Sequence, residues 1–135
     1  MSTHREVSIR TSQREQLVDI TDQVREAVAA LGLEEGVAHV YCRHTTAGLV
    51  IQENADPDLK VDIIEALAKL VPQRGWRHRE GNADAHIKAI MCGASATVPV
   101  ARGELTLGTW QDIYFAEFDG PRQRTFTVTA LGGQR

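Results

Sequence analysis

The spacing of apolar residues switches along the chain between the two-residue repeat of a strand and the three-to-four-residue repeat of a helix. Residues 7–9 and 17–20 are short β-rich pieces on either side of the polar run 10–16, a pattern that predicts a hairpin. The repeat then lengthens. Thr21 is a good N-cap, Val24, Val28 and Leu31 fall on one helical stripe, and Gly32 suits the left-handed position that ends a helix, so a helix is expected over 22–31. From 36 to 45 the two-residue repeat returns, with Ala38, Val40, Cys42 and His44 on the inner face and Val37, His39, Tyr41 and Arg43 on the outer one. A second extended piece, 49–53, follows the break at Gly48. Asp56-Pro57 signals a helix start, with the carboxylate as cap and proline where its missing N–H costs nothing. Behind it Leu59, Ile63, Leu67 and Leu70 form an apolar stripe, while Lys60, Asp62, Glu65 and Lys69 face water.

Residues 72–84 combine glycine, proline and asparagine breaks with dense charge, the composition of an exposed loop. Asn82 is a candidate cap for a short helix over 83–92, although 87–91 also reads as a strand. Beyond Ala96 the pattern is β, over 97–101, 104–107, 112–118 and 124–131, divided by Arg102-Gly103, Gly108 and Asp119-Gly120-Pro121. The expected fold class is α+β: a mainly antiparallel β-sandwich or open-barrel-like sheet with two to three helices packed on it, in a single domain over 1–135.

Composition removes several function classes. With 135 residues, 42% apolar and 24% charged, the chain is long enough for one core without disulfide or metal staples. A net charge of -3 leaves no basic field for nonspecific nucleic-acid binding. No apolar run approaches the ~20 residues of a membrane span, and the first ten residues are too polar for a secretory signal, so a cytoplasmic protein is expected. Cys42 and Cys92 are too few for a disulfide framework and lack zinc-pair spacing. Nor is there a GK[ST] phosphate loop, a dinucleotide fingerprint, a GxSxG elbow or an HExxH motif.

Three polar clusters fall where strand pattern gives way to loop. His44, next to Thr45 and Thr46, is placed to ligate a metal or transfer a proton, or to sit in the core bonded to backbone. Glu53 and Asp56 follow it. Asn82, Asp84 and His86 gather at a helix start, where unpaired N–H groups attract phosphate or carboxylate; the same residues serve equally to make the turn. His4, His39 and His78 read as solvated. Glu117 alternates with Ile113 and Phe115, which puts a carboxylate on an apolar face as a general base or as a salt-bridged structural group, with Arg122 or Arg124 for partner. Trp110, followed by Gln111, is either core or a stacking platform for a flat heterocycle.

Taken together, His44-Thr45-Thr46-Ala47-Gly48 with Gln52-Glu53-Asn54-Ala55-Asp56, then Gly81-Asn82-Ala83-Asp84-Ala85-His86-Ile87-Lys88, then residues 103–111 ending in Leu107-Gly108-Thr109-Trp110-Gln111, and Glu117-Phe118-Asp119-Gly120-Pro121-Arg122, resemble the signature blocks of the YjbQ family. The blocks run in order over about three-quarters of the chain. The resemblance implies a compact α+β domain that assembles as a homotrimer with sites near subunit interfaces. It also implies a thiamine-phosphate synthase activity, primary or secondary, that joins hydroxymethylpyrimidine diphosphate to thiazole phosphate and releases pyrophosphate. Carried over by motif, His44, His86, Asp84 and Glu117 are the catalytic candidates. Thr45, Thr46, Asn82, Lys88, Trp110, Gln111 and Arg122 are the substrate-binding ones. A divalent metal on His44 and His86 is the candidate cofactor. The alternatives are a trimeric metal- or phosphate-binding protein and a metal-assisted hydrolase. The chain departs from the family at Cys42-Arg43, where small or proline-like residues are usual, and the Cys42 thiol there is a candidate metal ligand or simply a small hydrophobe.

Overall fold

The structure is a computed structural model and describes residues 3–134. Strands β1 (His4–Arg10), β3 (Leu33–Cys42), β5 (Ser95–Ala101), β6 (Glu104–Leu105) and β8 (Gln123–Gln134) form one antiparallel sheet in the order β1-β8-β3-β5-β6. Strands β2 (Gln16–Asp19), β4 (Ala47–Glu53) and β7 (Gln111–Glu117) form a second, in the order β2-β7-β4. Three helices complete the fold: α1 (Thr21–Leu31), α2 (Pro57–Leu70) and α3 (Ala83–Cys92).

The two-residue repeat decides what each sheet buries. Ala38, Val40 and Cys42 of β3 and Phe126, Val128 and Ala130 of β8 meet Leu49 of β4 and Ile113 and Phe115 of β7 in one core. The stripe Val24, Ala27, Val28 and Leu31 lets α1 pack into that core. On the other face of the smaller sheet, Ala116, with Phe118 just beyond β7, is covered by Ile64 and Leu67 of α2 and by Ala85 and Ala89 of α3. The α+β class read from the sequence is the one observed.

Several local expectations change. β1 and β2 are not a hairpin: β1 pairs with β8 (His4 opposite Thr129) and β2 with β7 (Gln16 opposite Glu117), because each strand completes a different sheet. Thr21 is the first helical residue and not the cap; its hydroxyl donates to Asp19 Oδ1 at 2.7 Å and accepts from the Ile113 N–H at 2.9 Å, tying α1 to β7. β3 ends at Cys42, so His44 lies beyond the strand, and β4 begins at Ala47, so Gly48 lies within a strand. Asp56 caps α2 as expected, accepting from the Asp58 N–H at 2.9 Å. The α2 stripe is half-buried at Leu59, Ile63 and Leu67, but Leu70 is 70% exposed. Residues 83–92 form a helix and 87–91 are not a strand.

Three of the short corners at which the chain passes between the sheets come together: 11–15 from β1 to β2, 43–46 from β3 to β4, and 118–122 from β7 to β8. The corners bind one another. The Thr11 N–H donates to the Arg122 carbonyl (2.9 Å), the Gly120 N–H to the Arg14 carbonyl (2.9 Å) and the Phe118 N–H to the Thr46 carbonyl (3.2 Å). Gly120 is required here, because a Cβ on it would stand 2.3 Å from the Gln13 carbonyl oxygen.

Candidate functional site

A cleft of about 380 Å³ opens where two of these corners meet the start of α3. The β3–β4 corner supplies Arg43, His44, Thr45 and Thr46; the approach to α3 supplies Glu80, Asn82 and His86; the β7–β8 corner and β8 supply Asp119, Arg122 and Arg124. Motif residues up to 78 positions apart in sequence, His44, Thr45, Thr46, Asn82, His86 and Arg122, are thus brought to one place. Thr45 is exposed to the cleft, whereas Thr46 turns into the wall, its Oγ1 accepting from Arg124 Nη2 at 2.9 Å.

Glu117, read from the sequence as a candidate catalytic carboxylate, is fully buried and forms the scaffold of this cleft. Its Oε1 accepts from the Thr11 hydroxyl (2.7 Å) and Arg124 Nε (2.8 Å), and its Oε2 accepts from Arg124 Nη2 and the Asp119 N–H (3.0 Å). Burial alone would raise its pKa. Arg124, the Asp119 N–H and the Thr11 hydroxyl outweigh that and hold the carboxyl below its usual range. A carboxylate with both oxygens so occupied, by Thr11 and Asp119 of two corners and by Arg124 of β8, which itself binds Thr46 of the third, fixes the cleft and has no face for a ligand.

Asp84 and Lys88 are occupied in the same way. Both are buried on the inner side of α3 and point at the β1–β2 corner. Lys88 Nζ lies 2.7 Å from Glu15 Oε2 and 3.3 Å from Asp84 Oδ2, and Arg14 Nη2 lies 3.1 Å from Asp84 Oδ1. Burial opposes ionisation of Asp84, but Arg14 and Lys88 keep its pKa low. Each charge is paired, the condition on which buried charges are tolerated. These residues lock α3 in place and so position Asn82 and His86.

In the cleft itself Asn82 Nδ2 and Arg122 Nη2 share Asp119 Oδ2, at 2.9 and 3.0 Å. Asn82 Oδ1 is buried with no hydrogen-bond partner among the described residues. His44 accepts the Thr125 N–H on Nε2 at 3.0 Å and sets its ring edge-to-face on Phe115, centroids 6.4 Å apart. Burial first, then the charge of Arg124, pushes its pKa down. His86 stacks edge-to-face with His78 at 5.3 Å, and His78 Nε2 lies 3.7 Å from Glu80 Oε2. His78, expected to be solvated, is exposed, and its ring packs on that of the lining residue His86.

The donors do not fit the divalent metal expected on His44 and His86. The His44 Nε2 lone pair is taken by backbone, and no group of three His, Cys, Asp or Glu side chains converges to hold a metal among the described residues. Cys42 is buried, its thiol directed at the Ala47 carbonyl (3.6 Å) and its pKa raised by burial, which makes it the small hydrophobe and not the ligand.

Trp110, Gln111 and Glu53 lie elsewhere, in a second cleft of about 530 Å³ with Gln52 and Ala55. β4 and β7 run antiparallel, with Ala47 opposite Glu117 at one end and Glu53 opposite Gln111 at the other. At ~3.4 Å per residue, the two clefts of one chain are roughly 20 Å apart. Trp110 is 63% exposed and is not core. Gln111 Oε1 accepts the Gly108 N–H at 2.9 Å, which folds the turn that presents the indole. Asp56 is occupied as the α2 cap.

Arg43, Glu80, Asp119 and Arg124 enter the first cleft without having been candidates for it. Arg124 carries a legible signal, since it shares the inward register of Phe126, Val128 and Ala130, where a charge demands a buried partner. Glu80 and His78 have no comparable signal, because a charged loop is ordinarily solvated.

An α+β domain of two antiparallel sheets joined by three interlocked corners, with a polar cleft over them, defines the class. The chain belongs to the YjbQ family: the family model described as "UPF0047 protein YjbQ-like" matches residues 5–133. It is 50% identical over 125 residues to UPF0047 protein MJ1081 of Methanocaldococcus jannaschii, covering 92% of this chain and 91% of that protein. To UPF0047 protein YugU of Bacillus subtilis it is 46% identical over 131 residues, covering 93% and 97%. A crystal structure of an uncharacterized conserved protein of the YjbQ/UPF0047 family from Clostridium acetobutylicum superposes with a TM-score of 0.92 at 49% identity, covering 94% of this chain and 99% of that one. A protein of unknown function from Sulfolobus solfataricus gives the same TM-score at 36% identity.

Proposed function

We propose that the chain is an enzyme of phosphorylated small metabolites with thiamine-phosphate synthase activity, and that it works as a homotrimer with its sites near subunit interfaces. The observation that carries this reading is the convergence of His44, Thr45, His86 and Arg122 on one cleft over a buried Arg124–Glu117 pair. Their ring N–H, hydroxyl and guanidinium groups are donors suited to a diphosphate. In the reaction, the bond between the pyrimidine methylene carbon and the diphosphate oxygen breaks, and the pair leaves with pyrophosphate. The thiazole nitrogen donates its lone pair to that carbon and ends as the thiazolium. The sum requires no net proton transfer, so the cleft has to hold and stabilise the leaving diphosphate. Arg122 and His44 meet its charge, and His86, beside His78, is placed to share a proton with it.

The trimer is supported by apolar side chains that a lone chain leaves in water: Val61 and Leu70 on α2 and Ile90 and Met91 on α3, with Ile90 81% exposed. Native mass spectrometry is expected to give three copies of the chain.

The activity is tested by supplying both substrates and following thiamine phosphate and pyrophosphate together. Equal amounts of the two are expected, with His86→Ala and Arg122→Ala each lowering turnover by about two orders of magnitude. Tight pyrophosphate binding with no product would replace the enzyme by a phosphate-binding protein. Phosphate released from a single substrate by water would replace the transferase by a hydrolase.

A further inference from the structure

We propose that His44 serves the cleft as an uncharged hydrogen-bond donor, its ring proton fixed on Nδ1 and offered to an anionic group of the ligand. This rests on the phosphate-binding reading above and assigns one residue's part in it.

The backbone N–H of Thr125 points at His44 Nε2 from 3.0 Å. An N–H donor requires a lone pair, so Nε2 is unprotonated, and a neutral imidazole with its lone pair there carries its proton on Nδ1. The donor is not adjustable. Thr125 sits inside β8, held opposite Ser8 of β1, and Phe115 supports the imidazole ring from the core side. Nδ1 has no hydrogen-bond partner among the described residues, and it is not one of the sealed-in polar atoms, so its N–H opens toward the cleft that His44 lines.

The surroundings favour the same state. Burial of the ring does most to disfavour a second proton on it, and Arg124 and Arg122 add positive charge that acts the same way and attracts an anion to its N–H; the buried Glu117 opposes them only in part. A phosphate oxygen accepting from Nδ1 leaves the Thr125 bond intact, and no proton leaves the ring. A general base working through Nε2 would have to break that bond first. Among the described residues no backbone N–H is bonded to the ring of His86, which leaves proton sharing to it.

The test uses the full chain at one pH, 7.5, with inorganic pyrophosphate as the probe. Ring ¹⁵N correlation spectra of His44 are expected to show a protonated Nδ1 and an unprotonated Nε2, with Nδ1 moving when pyrophosphate is added. By calorimetry, His44→Ala and His44→Gln are expected to weaken pyrophosphate binding about tenfold or more, the scale of a hydrogen bond to a charged group. His44→Asn, whose amide N–H falls near the Nδ1 position, is expected to stay within about threefold of the wild type. Thermal melts identify any variant that loses affinity by unfolding. A proton found on Nε2, or a folded His44→Asn as weak as His44→Ala, overturns the assignment. Wild-type protein that shows the Nδ1 form but binds no pyrophosphate overturns the phosphate reading, and with it the donor role.

Discussion

Glu117 decides whether the three corners hold, and its chemistry makes a sharp prediction. Its carboxylate is fully buried against Arg124, Thr11 and the Asp119 N–H, so Glu117→Gln would keep the shape but leave the buried Arg124 guanidinium without its counter-charge. Breaking a buried pair from one side costs about 3–5 kcal/mol. Urea unfolding should show a loss of that size, and replacing Arg124 by methionine as well should recover part of it. The pH dependence has a definite sign. The folded pKa lies below the ordinary 4.5, so the unfolded chain takes up the proton first as pH falls. The stabilisation is complete above about 4.5 and is lost progressively below it as pH drops through the folded value. Asp84, held low by Arg14 and Lys88, acts in the same direction. In Glu117→Gln the acid side of the stability profile should therefore be shallower than in the wild type, with Asp84 and Asp19, whose pKa values are also held low, contributing to what remains. An unchanged acid limb would mean that the Arg124–Glu117 pair does not carry the acid sensitivity.

Packing between elements turns on Gly48, which the sequence presents as a break and the fold uses as a contact. β4 crosses the C-terminal end of α3 there, and a Cβ on residue 48 would stand 2.6 Å from the Gly93 carbonyl oxygen and 3.1 Å from Cys92 Cβ. Gly48→Ala should push β4 from α3 and destabilise by about 1–3 kcal/mol in urea titration. Gly133→Ala, whose added carbon meets nothing closer than 3.8 Å among the described residues, should be near neutral and serves as the control. The same element scale explains what could be read in advance. α1 with its stripe and its Gly32 end, and α2 with its Asp56-Pro57 start, were legible because a helix's stripe and end signals lie close together in sequence. The supposed β1–β2 hairpin was not, since His4 finds its partner at Thr129 and no local pattern records a pairing that distant. α3 was ambiguous because the side it buries is made partly of Asp84 and Lys88, and their burial depends on Arg14 and Glu15 from another corner. The candidate cleft was legible in its motif residues. The pairing of Glu117 with Arg124, seven residues away, was among the readings the sequence offered, whereas its bond to Thr11, 106 residues away, was not, because no local pattern records so distant a partner.

At the scale of the whole molecule the open question is how two clefts roughly 20 Å apart on one chain could serve one reaction. One cleft offers donors to phosphate; the other offers an exposed indole, with Glu53 beside it, suited to a flat cationic ring. If the homotrimer proposed above sets the Trp110 end of one copy against the His44 end of the next, each site draws on two subunits. That arrangement has an arithmetic consequence. His86→Ala and Trp110→Ala homotrimers should each be nearly inactive. When the two variants are unfolded, mixed one to one and refolded, a site is intact only if an unaltered His86 from one copy faces an unaltered Trp110 from its neighbour. Random assembly makes that so for about a quarter of the sites. The mixture should then recover about a quarter of wild-type turnover, with native mass spectra showing mixed trimers. If each site is built within one chain, every chain in the mixture carries a defect, and no amount of mixing restores activity.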